Sequence, residues 1–180
     1  MTAPLPHLPA RAVLGLGANL GDPVTTLHEA IAALQSNPRS ADWQISPFYR
    51  TAPIGSDEAQ PDYVNAVAVC RTDLEPEALM QWLLDTERHF GRDRSHDIAR
   101  NAPRTLDLDL LIYDDVGMHT PLLTLPHPRL HERAFVLHPL LDLLPDATLP
   151  ELGRLDHYLA TVANQTITRI PDEAARGCPK

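Results

Sequence analysis

Lysine is almost absent from this chain of 180 residues, in which Lys180 is the only one. Arginine therefore carries the positive charge, and the formal net charge is −9 at pH 7. An acidic chain of this kind is poorly suited to a general nucleic-acid surface. The sequence also has no predicted strand with adjacent exposed aromatic residues, on which RNA bases would stack. We therefore expect no nucleic-acid partner.

Long apolar runs and cysteine are scarce as well. No run approaches the ~20 residues of a membrane span, and the N-terminus lacks the charged and apolar regions of a signal peptide. The two cysteines, Cys70 and Cys178, are too few for a disulfide framework. These absences predict a cytoplasmic protein with no membrane partner.

The length and the hydrophobic spacing predict one domain of the α+β class. The predicted strands are residues 11–16, 43–50, 63–71, 105–113, 122–125 and 166–170, and the predicted helices are residues 24–35, 77–90, 133–144 and 152–162. This order resembles a ferredoxin-like β-α-β-β-α-β core with additional C-terminal helices and a strand, in three α-β-α layers. We expect a flexible arm at residues 1–10, a single monomeric domain at 11–170 and a tail at 171–180.

The strand that contains Asp107 and Asp109 alternates polar and apolar residues. Leu106, Leu108 and Leu110 would point into a core, and the two aspartates would lie together on the other face, about 7 Å apart at their α-carbons. Adjacent carboxylates repel each other and resist burial, and Mg²⁺ takes carboxylate and phosphate oxygens as ligands. The pattern favours a metal site, although a strand with one solvated face remains an alternative.

Five arginines lie between Arg88 and Arg104. In an acidic protein such a cluster indicates a local anion site, because the planar guanidinium can bind two phosphate oxygens at once. A solvated loop with salt bridges is the alternative. The glycine-rich residues 15–23 match neither a Walker A loop nor a full dinucleotide fingerprint. They predict a strand-to-helix turn with Asp22 as the N-cap. Gly91 predicts the end of the helix at residues 77–90.

Three pairs of segments together resemble the 6-hydroxymethyl-7,8-dihydropterin pyrophosphokinase family of folate biosynthesis. These segments are residues 46–55 with 60–66, 91–94 with 103–109, and 125–129 with 133–140. Residues 15–22 also resemble the family's first strand and turn. The resemblance implies transfer of the terminal diphosphate of ATP, the co-substrate, to the pterin hydroxymethyl group, with release of AMP.

The resemblance also implies a set of site residues. It places two Mg²⁺ ions on Asp107 and Asp109, and it makes these two residues catalytic together with Arg92, Arg94 and Arg104. The implied ATP-binding residues are Glu87, Arg92, Arg94, Arg100, Arg104, Leu110, Thr124, His127 and Arg133. The implied pterin-binding residues are Thr51, Ala52, Pro53, Ile54, Tyr63, Asn65 and Phe135.

Simpler interpretations stay open for several of these residues when each is considered alone. His127 lies between two prolines and can be a rigid surface residue, and Phe135 and Tyr63 can belong to the core. Glu87 can simply pair with Arg88 or Arg92. Asn65 is harder to dismiss, because a buried amide needs hydrogen-bond partners. For the whole protein, the alternatives are a kinase that transfers only the γ-phosphate and a nucleotide or metal sensor without turnover.

Overall fold

A six-stranded antiparallel sheet forms the centre of the computed structural model, which describes residues 9–53, 60–92 and 104–172. The strands of this sheet are β1 (Ala10–Ala18), β2 (Ser40–Ile45), β3 (Tyr49–Thr51), β4 (Tyr63–Thr72), β5 (Asp107–Tyr113) and β10 (Ile167–Arg169). Its strand order is β10-β3-β4-β1-β5, and β2 also pairs with β4. The α+β class is thereby confirmed in its coarse form, as an antiparallel sheet with helices.

Within the described residues, three α-helices pack on the sheet and two small hairpins lie outside it. The helices are α1 (Pro23–Gln35), α2 (Pro76–His89) and α3 (Ala134–Leu143). The hairpin strands are β6 (Met118–His119) with β7 (Thr124–Leu125), and β8 (Thr148–Leu149) with β9 (Gly153–Arg154). The described ranges also contain 3-10 helices at Leu130–Glu132 and Leu155–Val162.

The sheet separates two hydrophobic cores. Helices α1 and α2 cover the first core, which contains Leu106, Leu108 and Leu110. Helix α3 covers the second core, which contains Val13 and Leu137. Since side chains alternate along a strand, the leucines before and within β5 bury their side chains on one face, and Asp107 and Asp109 lie on the other. The predicted alternation is therefore confirmed.

Most predicted ends of the elements agree with the structure. Asp22 caps α1 by accepting a hydrogen bond from the backbone N–H of Thr25 at 3.2 Å. Just beyond α2, Gly91 has φ +84°, a conformation that favours glycine. Local chemistry was therefore sufficient to place these two helix ends.

Two predicted elements were wrong in detail. The single strand predicted at residues 43–50 is two strands, because Pro47 has no N–H to donate to the ladder. Just before it, the Ser46 N–H donates to the Val67 carbonyl oxygen at 2.9 Å, and the Ser46 hydroxyl accepts from the Val67 N–H at 2.9 Å. The helix predicted at 152–162 is a 3-10 helix that begins at Leu155, after the turn of the β8–β9 hairpin. In the part of the chain that the structure describes, no helix is long and apolar enough to cross a membrane.

The second core gives a direct stability test. Leu137 is fully buried between α3 and the sheet, so Leu137→Ala should lower the free energy of unfolding by about 2–5 kcal/mol. Leu122 is 41% exposed, and Leu122→Ala should change the free energy of unfolding by less than about 0.5 kcal/mol. Urea unfolding of both variants measures the difference. Equal effects of the two substitutions would contradict the assignment of this core.

Candidate active site

The site is built across the three adjacent strands β4, β1 and β5. Gly17 of β1 is paired with Asn65 of β4 on one side and with Asp107 of β5 on the other. Gly15 is the neighbour of Asp109 in the same way. Because glycine has no side chain, β1 places no side chain of its own between the Asn65 amide and the two carboxylates. The strand register alone thus brings residues distant in sequence into one row.

A cleft of about 480 Å³ opens above this row. Its lining residues come from β1, β3, β4, β5, α3 and the loops beside them, and they are Gly17, Thr51, Ala52, Pro53, Tyr63, Asn65, Arg104, Asp107, Arg129, Glu132, Arg133, Phe135 and Gln165. The cleft therefore brings together residues predicted for the pterin with residues predicted for the metal and the phosphates.

Asp107 is held by two arginines. Its Oδ1 accepts a hydrogen bond from Arg92 Nη1 at 2.5 Å, and its Oδ2 accepts one from Arg104 Nη1 at 2.9 Å. Burial alone would raise the pKa of Asp107, but the charges of Arg104 and Arg92 and their hydrogen bonds outweigh that effect, so the pKa lies below its usual value. Asp107 is therefore an ionised, fixed carboxylate.

Asp109 has a different environment. Its charged partner among the described residues is Arg133, whose Nη1 lies 3.8 Å from its Oδ2, and its side chain is 35% exposed. Burial and the negative charge of Asp107 raise the pKa of Asp109 to about 6, against an ordinary value of 3.8. An added cation would favour the ionised form of this carboxylate.

Arg92 is itself anchored from behind the site. Glu87 on α2 is fully buried and accepts hydrogen bonds from Arg92 Nη1 at 2.7 Å and from the Leu108 N–H at 2.7 Å. Glu87 thus faces the first core and the back of β5. It can affect the cleft through Arg92, which connects it to Asp107.

The opposite wall of the cleft carries the predicted pterin residues. Asn65 is buried and donates from Nδ2 to Thr51 Oγ1 at 2.8 Å. A Cβ atom added at Gly17 would lie 2.9 Å from Asn65 Oδ1, so only glycine leaves that oxygen its place. Because Thr51 and Gly17 fix the amide, its hydrogen-bonding direction is set before any ligand binds.

Phe135 and Arg133 form a third wall at the start of α3. The Arg133 guanidinium lies over the Phe135 ring, 5.5 Å from its centroid, in a cation–π arrangement. Phe135 is half-buried and lines the cleft, so part of its ring surface is accessible. Its side chain contributes to the second core as well, so both interpretations of this residue agree with its position.

His127 lies next to these arginines and is held through its backbone. Its N–H donates to the Leu111 carbonyl oxygen at 2.8 Å, and its Nδ1 accepts from the Arg129 N–H at 3.2 Å. Burial and the charges of Arg133 and Arg129 lower the pKa of His127 to about 4. The imidazole is therefore neutral at pH 7, with its proton on Nε2.

Some predicted residues do not line this cleft. Arg92, Asp109 and His127 are not lining residues, but each contacts one, namely Asp107, Arg133 and Arg129 respectively. The Leu110 side chain is buried in the first core, and Thr124 lies in the β6–β7 hairpin, where its Oγ1 is 2.8 Å from His119 Nδ1. The structure places neither of these side chains beside the row of Asn65, Gly17 and Asp107. Ile54, Arg94 and Arg100 lie outside the described residues.

The sequence interpretation missed four lining residues, which are Gly17, Arg129, Glu132 and Gln165. Glycine inside a strand often marks a close approach of a ligand or another backbone, and that signal could have indicated Gly17. Gln165 joins the site through tertiary contacts, since its Oε1 accepts from the Ala134 N–H at 2.9 Å and its Nε2 donates to the Glu132 carbonyl oxygen at 2.8 Å. No local pattern marks a residue of that kind.

The carboxylate oxygens of Asp107 and Asp109 fit Mg²⁺, which shares its coordination with water and substrate. They do not fit a metal whose ligands all come from the protein. Within the described ranges, no group of three or more His, Cys, Asp or Glu side chains is placed to hold an ion. Asp107 and Asp109 instead offer one strand face of carboxylate oxygens beside an open cleft. Mg²⁺ commonly takes one or two carboxylates and completes its coordination with water and substrate phosphates.

A carboxylate pair flanked by arginines, beside a cleft with an aromatic wall and a fixed amide, is the arrangement expected of a metal-dependent phosphoryl-transfer enzyme. The family model for 7,8-dihydro-6-hydroxymethylpterin-pyrophosphokinase (HPPK) matches residues 13–145. The chain therefore belongs to this family. Its members transfer pyrophosphate from ATP to hydroxymethyldihydropterin in folate biosynthesis.

Individual relatives agree with the family assignment. The chain is 38% identical to the 2-amino-4-hydroxy-6-hydroxymethyldihydropteridine pyrophosphokinase of Pseudomonas aeruginosa over 161 residues, which are 89% of this chain and 97% of that protein. It is 40% identical to the Haemophilus influenzae protein of the same name over 159 residues, which are 88% of this chain and 97% of that protein.

Solved structures support the fold. The structure is similar to an HPPK-DHPS crystal structure in complex with substrates, with a TM-score of 0.67 and 12% identity over 87% of this chain. It is also similar to a crystal structure of Plasmodium falciparum HPPK-DHPS, with a TM-score of 0.64 and 13% identity over 87% of this chain. This chain spans 44% and 46% of those two chains.

The two aspartates should affect stability with opposite signs in metal-free protein. The raised pKa of Asp109 means that its ionised form is disfavoured in the folded state, so Asp109→Asn should stabilise the protein at about pH 7.5 and have little effect near pH 4. The lowered pKa of Asp107 means that its ionised form is favoured in the folded state. Asp107→Asn should therefore destabilise at about pH 7.5, by an amount that falls as the pH falls through its folded pKa.

Urea unfolding in the presence of a chelator, at both pH values, measures these effects. The two variants serve as controls for each other, since each replaces one aspartate of the same strand face by its isosteric amide. If both variants changed the free energy of unfolding in the same direction at about pH 7.5, the electrostatic difference between the two carboxylates would be refuted.

Proposed function

We propose that this chain transfers the diphosphate of ATP to the hydroxymethyl group of 6-hydroxymethyl-7,8-dihydropterin and releases AMP. The observation that carries the proposal is the row of Asn65, Gly17 and Asp107, which joins a polar recognition group in one cleft to the first of two carboxylates on the same strand face. Membership of the HPPK family supports the same reaction.

The reaction forms a bond between the pterin hydroxyl oxygen and the β-phosphorus of ATP. The bond from the β-phosphorus to the oxygen that bridges to the α-phosphorus breaks, AMP leaves with that oxygen, and the hydroxyl proton is lost. Such a transfer depends mainly on positioning and charge neutralisation. Arg92, Arg104 and Arg133, which lie beside the two aspartates, supply fixed positive charge for the phosphates.

Two Mg²⁺ ions are assigned to Asp107 and Asp109 in this proposal. Bound there, the ions would neutralise phosphate oxygens on the attacking and leaving sides of the transfer. Arg92 and Arg104 keep Asp107 ionised and oriented for this role. Asp109, with its less compensated charge, gains most from the cation.

The pterin is assigned to the wall formed by β3, β4 and the start of α3. Tyr63 and Phe135 supply aromatic surface for its faces, and Asn65 supplies hydrogen bonds for its rim. Thr51 supports the Asn65 amide, and the neighbouring residues Ala52, Pro53 and Ile54 complete the proposed pocket by resemblance.

The remaining nucleotide residues are proposed with roles that fit their positions. The proton on Nε2 of neutral His127 makes it a donor for a phosphate oxygen. Glu87 acts through Arg92, and Leu110 contributes through its backbone, because its side chain is in the core. Thr124, Arg94 and Arg100 keep the roles that the resemblance implies.

Three wider proposals accompany this function. The order of β4, β1 and β5, with β2 and β3 beside β4, supports a ferredoxin-like topology. The two cores on opposite faces of one sheet support a single pyrophosphokinase domain at residues 11–170. The protein is proposed to act as a monomer in the cytoplasm.

The reaction is tested by incubating the full chain with ATP, Mg²⁺ and 6-hydroxymethyl-7,8-dihydropterin and identifying the products by mass spectrometry. The expected result is AMP and the pterin diphosphate ester in equal amounts, with no product after chelation. ADP and a pterin monophosphate would identify a γ-phosphate kinase instead. Saturable ATP binding with no product would identify a sensor.

The aromatic wall gives a separate test of pterin binding. Phe135→Leu keeps an apolar side chain and removes the ring, so it should weaken pterin affinity by roughly 2- to 12-fold, the equivalent of about 0.5–1.5 kcal/mol for one aromatic contact. ATP affinity should change less than twofold. Isothermal titration with each ligand measures both values.

The matched control is Phe90→Leu, which removes a half-buried ring that packs against the first core, on the other face of the sheet. This variant should bind pterin as the unmodified protein does. If Phe135→Leu also binds pterin normally, Phe135 is a core residue only.

A further inference from the structure

Asn19 directly follows β1 and is only 2% exposed. Its side chain and backbone make hydrogen bonds to two segments that are distant from each other in sequence. A buried amide without partners is costly, so these contacts define where both segments can lie.

The first contact is with Arg104. Asn19 Oδ1 accepts a hydrogen bond from the Arg104 N–H at 2.8 Å, and the Asn19 N–H donates to the Arg104 carbonyl oxygen at 3.1 Å. Both backbone polar groups of Arg104 are therefore bound to one residue. The Arg104 side chain extends from this fixed point to Asp107.

The second contact is with the segment that leads into β4. Asn19 Nδ2 donates to Gln60 Oε1 at 3.0 Å and to the Pro61 carbonyl oxygen at 3.1 Å. Gln60 Oε1 lies 3.4 Å from the Tyr63 hydroxyl, which donates to it. This arm therefore ends at an aromatic residue of the cleft wall.

The planar amide of Asn19 thus connects the two halves of the cleft. One arm reaches Arg104 and Asp107 on the metal side, and the other reaches Gln60 and Tyr63 on the aromatic side. Because the two ends of the amide are a fixed distance apart, a shift of one segment changes the hydrogen bonds of the other. Neither arm depends on Asn19 touching a ligand.

We propose that Asn19 is a positioning residue that couples binding in the pterin half of the cleft to binding in the phosphate half. This inference rests on the proposed function, because it takes the ligands of the two halves to be a pterin and a nucleotide. Coupling of this kind is reciprocal, so each ligand changes the affinity for the other by the same factor.

The test is a set of isothermal titrations on the full chain with Mg²⁺. The affinity for 6-hydroxymethylpterin is measured with and without saturating α,β-methylene ATP, whose bridging carbon blocks the transfer, and the reciprocal titration is measured as well. The ratio of the two affinities is the coupling factor. In the unmodified protein it should lie in the range of about 5- to 150-fold that is typical of linked sites.

The main variant is Asn19→Asp. It keeps the oxygen that accepts from the Arg104 N–H and loses the donor to Gln60 and Pro61, so it cuts one arm only. The coupling factor should fall to within about twofold of unity, and the affinity for each ligand alone should change much less. Asn37→Asp is the matched control. Asn37 lies in an exposed turn, and its Oδ1 accepts a hydrogen bond from the Arg39 N–H at 3.0 Å. Its coupling factor should equal that of the unmodified protein.

A second variant keeps the proposal testable if Asn19→Asp does not fold. Gln60→Leu removes the acceptor through which this arm reaches Tyr63 and leaves Asn19 and its contact with the Pro61 carbonyl oxygen in place, so it should also lower the coupling factor. An unchanged factor in a folded variant, or a factor of one in the unmodified protein, would overturn the proposal. Failure of the unmodified protein to form AMP would instead overturn the proposed function.

Discussion

The buried ion pair between Glu87 and Arg92 is the interaction on which the geometry of the site depends. A fully buried carboxylate is costly unless it is paired and hydrogen-bonded, and Glu87 accepts from both Arg92 and the Leu108 N–H. These contacts fix the end of α2 against β5. Since Arg92 also binds Asp107, the orientation of the cleft carboxylate is set from within the first core. Residues buried behind β5 therefore determine the geometry of the cleft carboxylate.

The two aspartates illustrate how position divides one residue type into two roles. Both lie on the same face of β5, two residues apart. The charge of Asp107 is compensated by two arginines, which lower its pKa, whereas burial and the charge of Asp107 raise the pKa of Asp109. In the proposed site, the charge of Asp107 is compensated before a divalent cation binds, and that of Asp109 is not. The arginines proposed to bind the substrate phosphates are already held in position by these carboxylates.

The sequence was most informative where the chemistry is local. Alternation along β5 predicted which face carries Asp107 and Asp109, and Asp22 and Gly91 predicted helix ends. The roles proposed for Phe135 and His127 rest only on the family resemblance, since neither position has a pattern of its own. Contacts that form between distant segments were not predictable: Gln165 reaches the cleft through α3, and Asn19 joins Gln60 to Arg104. Such contacts depend on tertiary packing, which one sequence does not display.

The bare backbone of β1 beneath the cleft has a consequence for inhibition. Gly17 contributes no side chain to the floor, and any larger residue there would displace the Asn65 oxygen. An inhibitor that lies against this floor would contact Gly17. A substitution of Gly17 that blocked the inhibitor would also displace the Asn65 amide. An inhibitor that depends on the walls, for example on Arg129 or Phe135, would meet side chains that can be exchanged one at a time. Escape from inhibition should therefore arise at the walls before it arises at the floor.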